Sequence, residues 1–487
     1  MATAAEARTL QNFVGGSFVD ATVEETLEDR DPATGELAVR VPLSGRADVD
    51  AAVRAAREAQ PAWRQVPPQE RARAVLALRD TLVRHRQELT ALVTADMGKT
   101  LSDADGEVGR GIESVESAAA IPHLLKGETL EGVASGLDVE TVRQPVGVVA
   151  AITPFNFPAM IPLWFLPYAV ACGNSFVLKP SERDPRPSQL ICHLIEDAEI
   201  FPPGVVNLVH GGREAVEAIL DHEGIDAISF VGQAATARLI ASRSAQTGKR
   251  VQALGGAKNS MIVADDADLA TSVPAILGSA FGAAGQRCLA GSVCVIAGDK
   301  DRQAEVRMAL KKAAGELATG PGADPGTDVC PMVSPEARER AEAAVAAAEA
   351  SGSTVLLDGR MGGGDAGTLL GPTLVEVADP ESELAREEIF GPVLALVEVS
   401  DLDAAIEFAN GSRYGNAGSI FTTTGASARA YRWGIEAGML GVNIGVPAPV
   451  AWFPFSGWKD SIHGDLHANG PDAVDFYTRK KVVTSRW

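Results

Sequence analysis

Residues 146–179 read VGVVAAITPFNFPAMIPLWFLPYAVACGNSFVLK, and the order of elements they imply decides the architecture. The apolar run at 146–152 predicts a strand. A helix from Pro158 to about Cys172 follows, then a second strand, SFVLK, at 175–179. The rhythm continues through VVNLV (205–209) and AISFV (227–231), with helices between. A helix from about Ala234 then leads to RVQAL (250–254). Strands alternating with helices predict a parallel sheet covered on both faces. Ligands on such sheets sit at the carboxyl ends of the strands.

Upstream, RADVDAAVRAAREAQPAW and PQERARAVLALRDTLVRHRQELTALVTADMG repeat apolar residues at helical spacing, so the first third reads as helices. Downstream, a second alternating region spans about 259–444, with SVCVI, STVLLD and PVLALVEV as strands. Two segments read as sheet arms, GLDVETVRQPVG (136–147) and the C-terminal VDFYTRKKVVTSRW. A terminal strand of this kind needs a partner edge, which another subunit often supplies. There is no internal repeat, and GRMGGGDAG (359–367) reads as a flexible surface loop.

With 487 residues, 46% hydrophobic and 22% charged, the chain has material for two or three domains. A formal net charge of -21 disfavours nucleic acid, whose binding depends on Lys and Arg at phosphates. The N-terminal MATAAEARTLQNF lacks the apolar stretch of a secretory signal. The most apolar window, AMIPLWFLPYAVACG, is shorter than the ~20 residues a membrane helix needs and carries two prolines. A cytoplasmic location with no membrane partner is expected. The five cysteines form no CxxC pair and suggest neither a disulfide framework nor a thiolate zinc site.

Each candidate site also has a bland reading. MGKT (97–100) ends like a phosphate loop, but the first glycine of that motif would fall at Val93, which rejects it. HGDLH (463–467) spaces two histidines four apart, yet Gly464 argues against a helix, so loop residues are the better reading and no metal is expected. Gly232, between a strand and a helix, is either a tight turn or a phosphate contact. No GxGxxG occurs. Lys179 and Glu182 end a strand, as surface charges or as ribose ligands. Asn156 lies just beyond a strand, as a turn residue or as an amide donor to an oxyanion. Cys288, in FGAAGQRCLAGS (281–292), is flanked by small residues, which suits core packing. Arg287 beside it favours a thiolate, which suits a nucleophile.

TPFNFPAM, FVLKPSERDP, FVG, GQRC and EEIFGPV occur here in the order and spacing of aldehyde dehydrogenases, and the chain resembles that family over essentially its whole length. The resemblance implies an α/β fold in three parts. These are a Rossmann-like NAD-binding domain (1–122 and 146–255), an α/β catalytic domain (256–458) and a β-arm oligomerisation element (123–145 and 459–487). It implies a homo-oligomer, dimer or tetramer. It also implies Cys288 as nucleophile and Asn156 as oxyanion donor. Lys179 and Glu182 would lie at the adenosine ribose and Gly232 near the pyrophosphate. Glu388 and Phe390 would lie at the nicotinamide ribose and ring, with Phe155 also in the cofactor site.

One position departs from the family pattern. Hydrolytic members carry a glutamate just before LGG, as the base that activates water, whereas VQALGGAKN places Ala253 there. Water attack on a thioester then lacks its base, while a thiol acceptor suffers less because some thiolate exists near neutral pH. PFNFPAMIPLWF, FGAAGQRC and GDLHANG with FYTRKKVVTSRW are similar to the CoA-acylating, methylmalonate-semialdehyde dehydrogenase branch. That branch implies oxidation of malonate or methylmalonate semialdehyde by NAD, decarboxylation, and transfer to coenzyme A as acetyl-CoA or propionyl-CoA. It also implies Arg287, and Arg110 in EVGRGIESVESA, as holders of the substrate carboxylate. Ala237 stands at the pyrophosphate contact, where many relatives have a second glycine. The rival readings are a hydrolytic aldehyde dehydrogenase with another base, and a catalytically silent binding protein of the same fold.

Overall fold

In the computed structural model, which describes residues 8–360 and 363–487, the five parallel strands expected from sequence form the middle of an eight-stranded sheet. Val206–Leu208, Ser175–Lys179, Val148–Ile152, Ala227–Val231 and Arg250–Leu254 lie side by side in that order. The first four are buried at every residue, because helices cover both faces, and this is why they read as continuous apolar runs. The chain builds outward from 148–152 to 206–208, then crosses back to 227–231 on the other side. Strand order therefore reverses between 148–152 and 227–231, and a crevice opens at their carboxyl ends.

A four-residue link, 255–258, carries the chain from the carboxyl end of Arg250–Leu254 into Asn259–Val263 of a second, seven-stranded sheet. That sheet is parallel except for the antiparallel edge pair Thr354–Leu357 and Thr373–Glu376. The link is so short that the carboxyl edge of the first sheet faces the amino edge of the second.

The helix Arg46–Trp63 forms as its periodicity predicts. The following helical stretch is two helices, Pro68–Arg84 and Arg86–Met97, broken at His85. MGKT is a stop and a start: Gly98 ends one helix in the left-handed region (φ 88), and the Thr100 hydroxyl accepts the Asp103 N–H at 3.1 Å to begin Leu101–Ala118.

Three expectations change. Four short strands, Asn12–Val14, Ser17–Val19, Thr26–Arg30 and Leu37–Pro42, precede the helices of the first third. The terminal strand Thr478–Arg486 finds its partner within the chain, pairing with Leu137–Pro145, so no second subunit is needed for that edge. Among the described residues its outer edge has no partner strand in the three-stranded arm. The glycine-rich segment 359–367 is partly outside the described residues, but Gly363 bridges to Leu369, which closes it as a turn. The N-terminal residues 1–7, read for a secretory signal, also lie outside the described residues. Among the described residues no helix is long and apolar enough to cross a membrane.

Candidate active site

The small-residue run before Cys288 has a backbone reason. After the helix Leu269–Phe281, Ala283, Ala284 and Gly285 are all left-handed, with φ of 50°, 52° and 68°. Such a conformation costs an alanine about 1–2 kcal/mol. The Asp103 carboxylate holds the turn by accepting the Ala283 N–H at 3.0 Å. A Cβ on Gly285 would lie 2.3 Å from the Gly391 carbonyl oxygen, so only glycine fits. Cys288 emerges at the amino end of Gly291–Ala297, partly exposed. Its carbonyl oxygen accepts the side-chain amides of Asn259 and Asn416, each at 2.8 Å. The other four cysteines are buried thiols.

Asn156 approaches from the first sheet, on the loop beyond Val148–Ile152. Its side-chain amide donates to the Gln286 carbonyl at 2.9 Å. A carboxamide has two N–H groups, so this bond orients the amide on the Cys288 turn and leaves one donor over. The backbone carbonyl of Asn156 accepts Lys99 Nζ at 2.7 Å, and Lys99 is paired with Glu107 at 2.6 Å. Glu107 in turn accepts the N–H groups of Ala159 and Met160 at 2.9 and 3.1 Å. Sequence reasoning missed both residues. The only signal was a lysine between a helix stop and a helix start, and nothing local points to a partner 57 residues away.

Cys288 opens on a cavity of about 270 Å³ whose wall includes Arg110, Arg287, Lys99, Phe157 and Trp164. The two arginines named from sequence thus reach one cavity with the thiol. Arg110 is ion-paired with Glu113 at 2.8 Å, and the other Glu113 oxygen accepts the Ala451 N–H at 3.2 Å. Arg287 donates to the carbonyls of Gly278 and Ser279, and its Nε has no partner. The thiolate expected from its presence does not follow. Burial pushes the Cys288 thiol up to about 12, and the Glu388 carboxylate adds to the rise. Its own N–H, that of Leu289 and Arg287 oppose this too weakly to offset it.

The other candidates lie beyond the strands of the first sheet and on the segment 388–390. Phe155 follows strand 148–152 and meets Phe390 edge-on, with ring centroids 5.8 Å apart. Glu388 accepts the Ala257 N–H at 3.1 Å, and burial raises its carboxyl to about 7. Lys179 ends its strand 2.7 Å from Glu182. Burial works against the Glu182 carboxylate, yet Lys179 holds it below the usual range. Gly232 has no room for a side chain, since a Cβ would lie 2.4 Å from the Phe230 ring. The helix Ala234–Gln246 that follows has no side-chain cap, so its first N–H groups are free for an anion. Ala237 is wholly buried on that helix. A carboxylate beside a strand-end lysine, uncapped helix N–H groups and an aromatic pair are the types of group that a dinucleotide needs.

Ala253 is not beside the thiol. It is wholly buried in the core with Ile152, Phe230 and Ala237 and is not part of the cavity wall. Strand alternation turns this position inward, so the motif match to a catalytic base is not a match in space. Of the paired histidines, His463 lies on a short edge strand beside Ala253, and His467 bonds Asp472 at 2.8 Å. Among the described residues no group of three or more His, Cys, Asp or Glu is placed to hold a metal ion.

The model of the aldehyde dehydrogenase family matches residues 18–483. Malonate-semialdehyde dehydrogenase 1 of Geobacillus kaustophilus (strain HTA426) is 48% identical over 487 residues, covering 100% of this chain and 99% of that protein. The crystal structure of methylmalonate-semialdehyde dehydrogenase (DddC) from Oceanimonas doudoroffii is similar at a TM-score of 0.96 and 43% identity, covering 99% of this chain and 98% of that one. A Sinorhizobium meliloti 1021 protein solved in complex with NAD also has a TM-score of 0.96, at 40% identity, covering 99% of each chain.

Two outcomes follow from the site geometry. In the ligand-free protein, iodoacetamide should label Cys288 at a rate rising about tenfold per pH unit from pH 7 to 10, with no plateau. Glu388→Gln removes a charge that opposes ionisation and should raise that rate; peptide mass spectrometry against time reads both. A plateau near the ordinary thiol value, about 8.5, would contradict the assignment. Ala253→Glu should put an unpaired carboxylate in the core and cost about 3 kcal/mol or more, without adding hydrolysis. A well-folded, hydrolytic Ala253→Glu protein would show that this side chain faces the thiol after all.

Proposed function

The chain belongs to the aldehyde dehydrogenase family, and from that premise we propose that it oxidises malonate or methylmalonate semialdehyde with NAD and passes the acyl group to coenzyme A. In this reading Cys288 Sγ, its proton released to solvent, attacks the aldehyde carbon. The spare N–H of Asn156 and the Cys288 N–H donate to the oxyanion that forms. NAD, when bound in the crevice, supplies the hydride acceptor. Glu182, Gly232, Glu388, Phe155 and Phe390 hold and orient it. A carboxylate at Glu182 accepts a ribose hydroxyl and repels a 2′-phosphate, which favours NAD over NADP. Arg110 and Arg287 anchor the substrate carboxylate beside the thiol. The resulting thioester on Cys288 takes up the electron pair left when carbon dioxide departs, as an enolate that a solvent proton quenches at carbon; the coenzyme A sulfur then bonds the acyl carbon as the bond to Cys288 Sγ breaks, and the thiol proton passes to the released Cys288.

The observation that carries the choice of acceptor is the state of the cavity carboxylates. Asp103 holds Ala283, Glu107 holds Lys99 and two N–H groups, and Glu113 holds Arg110 and Ala451. Each holds its partner as a carboxylate, so taking a proton from water would weaken a bond that holds the site together. The rival hydrolytic reading has one observation in its favour, Glu388, whose carboxyl sits at about 7.

The same reading takes the division at 122, 145, 255 and 458 as functional parts, and the open edge of Thr478–Arg486 as the contact of a homo-oligomer. Five free thiols suit a cytoplasmic setting.

Mass spectrometry of the products made from each semialdehyde with NAD and coenzyme A tests the proposal. Acetyl-CoA or propionyl-CoA is expected, and a free dicarboxylic acid would contradict it. Arg110→Leu should lose a charge-assisted contact worth about 1.5–3 kcal/mol, or about 10–100-fold in kcat/KM, with semialdehyde acids. With propanal the loss should be small. Equal losses on both would make Arg110 structural.

A further inference from the structure

The ion pair Lys99–Glu107 has no solvent contact on either side chain. Burying two charges costs several kcal/mol per ion unless their remaining bonding capacity is also used. Here it is used on one short segment. Lys99 Nζ donates to the Asn156 carbonyl at 2.7 Å and lies 4.2 Å from the centre of the Phe157 ring. The free oxygen of Glu107 accepts the N–H groups of Ala159 and Met160. Those groups open the helix Met160–Ala171, which has no side-chain cap of its own from Ala159. Every bond the pair makes outside itself therefore goes to residues 156–160. From the other side, the Gln286 carbonyl holds the Asn156 amide, and Gln286 is itself fixed by accepting the Val333 N–H at 3.0 Å. Asn156 is clamped by its backbone through Lys99 and by its side chain through the Cys288 turn.

We infer that Lys99 and Glu107 are positioning residues for the oxyanion donor, fixing the Asn156 backbone so that its spare amide N–H faces the carbonyl attacked by Cys288. This rests on the acyl-transfer reading above. A donor to a developing oxyanion works by being in place before the charge appears, and small misplacements cost rate steeply. Stability alone does not require charge here, because an apolar pair of similar volume often serves as well.

Stopped-flow measurement of the NADH burst with a semialdehyde, beside NAD affinity and Tm, tests the clamp. K99M should slow the burst by about 10–100-fold and leave NAD affinity within about 2-fold. K99R should recover most of the burst rate. The double variant K99M/E107M leaves the Ala159 and Met160 N–H groups and the Asn156 carbonyl without these partners, so its Tm should fall, but it removes both buried charges together and should still fold and burst slowly; it carries the test if K99M does not fold. K99M/N156A should be no slower than N156A, because both remove the same donor. A folded K99M/E107M protein with a wild-type burst would overturn the inference, as would losses in K99M and N156A that multiply. An unchanged burst in N156A would instead overturn the acyl-transfer reading itself.

Discussion

The carbonyl oxygen of Cys288, gripped by the amides of Asn259 and Asn416, is the point to which the site is referenced. Asn259 opens one strand of the second sheet, and Asn416 directly precedes its neighbour, Ala417–Phe421. Asn259 also accepts the Ala417 N–H at 3.1 Å, so the grip is part of the strand register. Two residues earlier, the Gln286 carbonyl receives Asn156 from the first sheet. Residues 286–288 therefore hook the carboxyl edge of one sheet to the amino edge of the other. The left-handed turn at 283–285 is tolerated because both anchors, and Asp103, oppose its relaxation.

The parts of this design that were legible in the sequence are those with a local cause. Strands 148–152, 175–179 and 227–231 show as apolar runs because both faces are covered, and Arg46–Trp63 shows because one helical face is buried. Thr26–Arg30 is largely exposed and charged, so its pairing with Leu37–Pro42 leaves no clean alternation to read. Cys288 and Asn156 stood out through their motifs. Lys99 and Glu107 did not, since their meaning lies in the distant segment 156–160. Arg287 shows the opposite error: adjacency in sequence suggested a charge on the thiol, but the guanidinium also bonds the carbonyls of Gly278 and Ser279, and it lowers the thiol by less than burial and Glu388 raise it. Ala253 was matched to a motif, and the structure puts it in the buried core and not in the cavity wall, because one residue in a strand decides which face a side chain takes.

These features together describe a site suited to making a thioester and poor at hydrolysing it. In the ligand-free site burial and Glu388 both act against ionisation of the thiol. The oxyanion donor is fixed beforehand. The cavity carboxylates each accept a structural bond, and Ala253 offers no base. An acceptor that brings its own ionisable sulfur meets no such obstacle.

The most direct measurement is NADH formation on mixing the protein with NAD and a semialdehyde in the absence of coenzyme A. The account predicts a burst of about one NADH per Cys288, then release slower by a factor of the order of 10²–10⁴ than the turnover seen once coenzyme A is added. Equal steady rates with and without coenzyme A, with free acid as product, would contradict it.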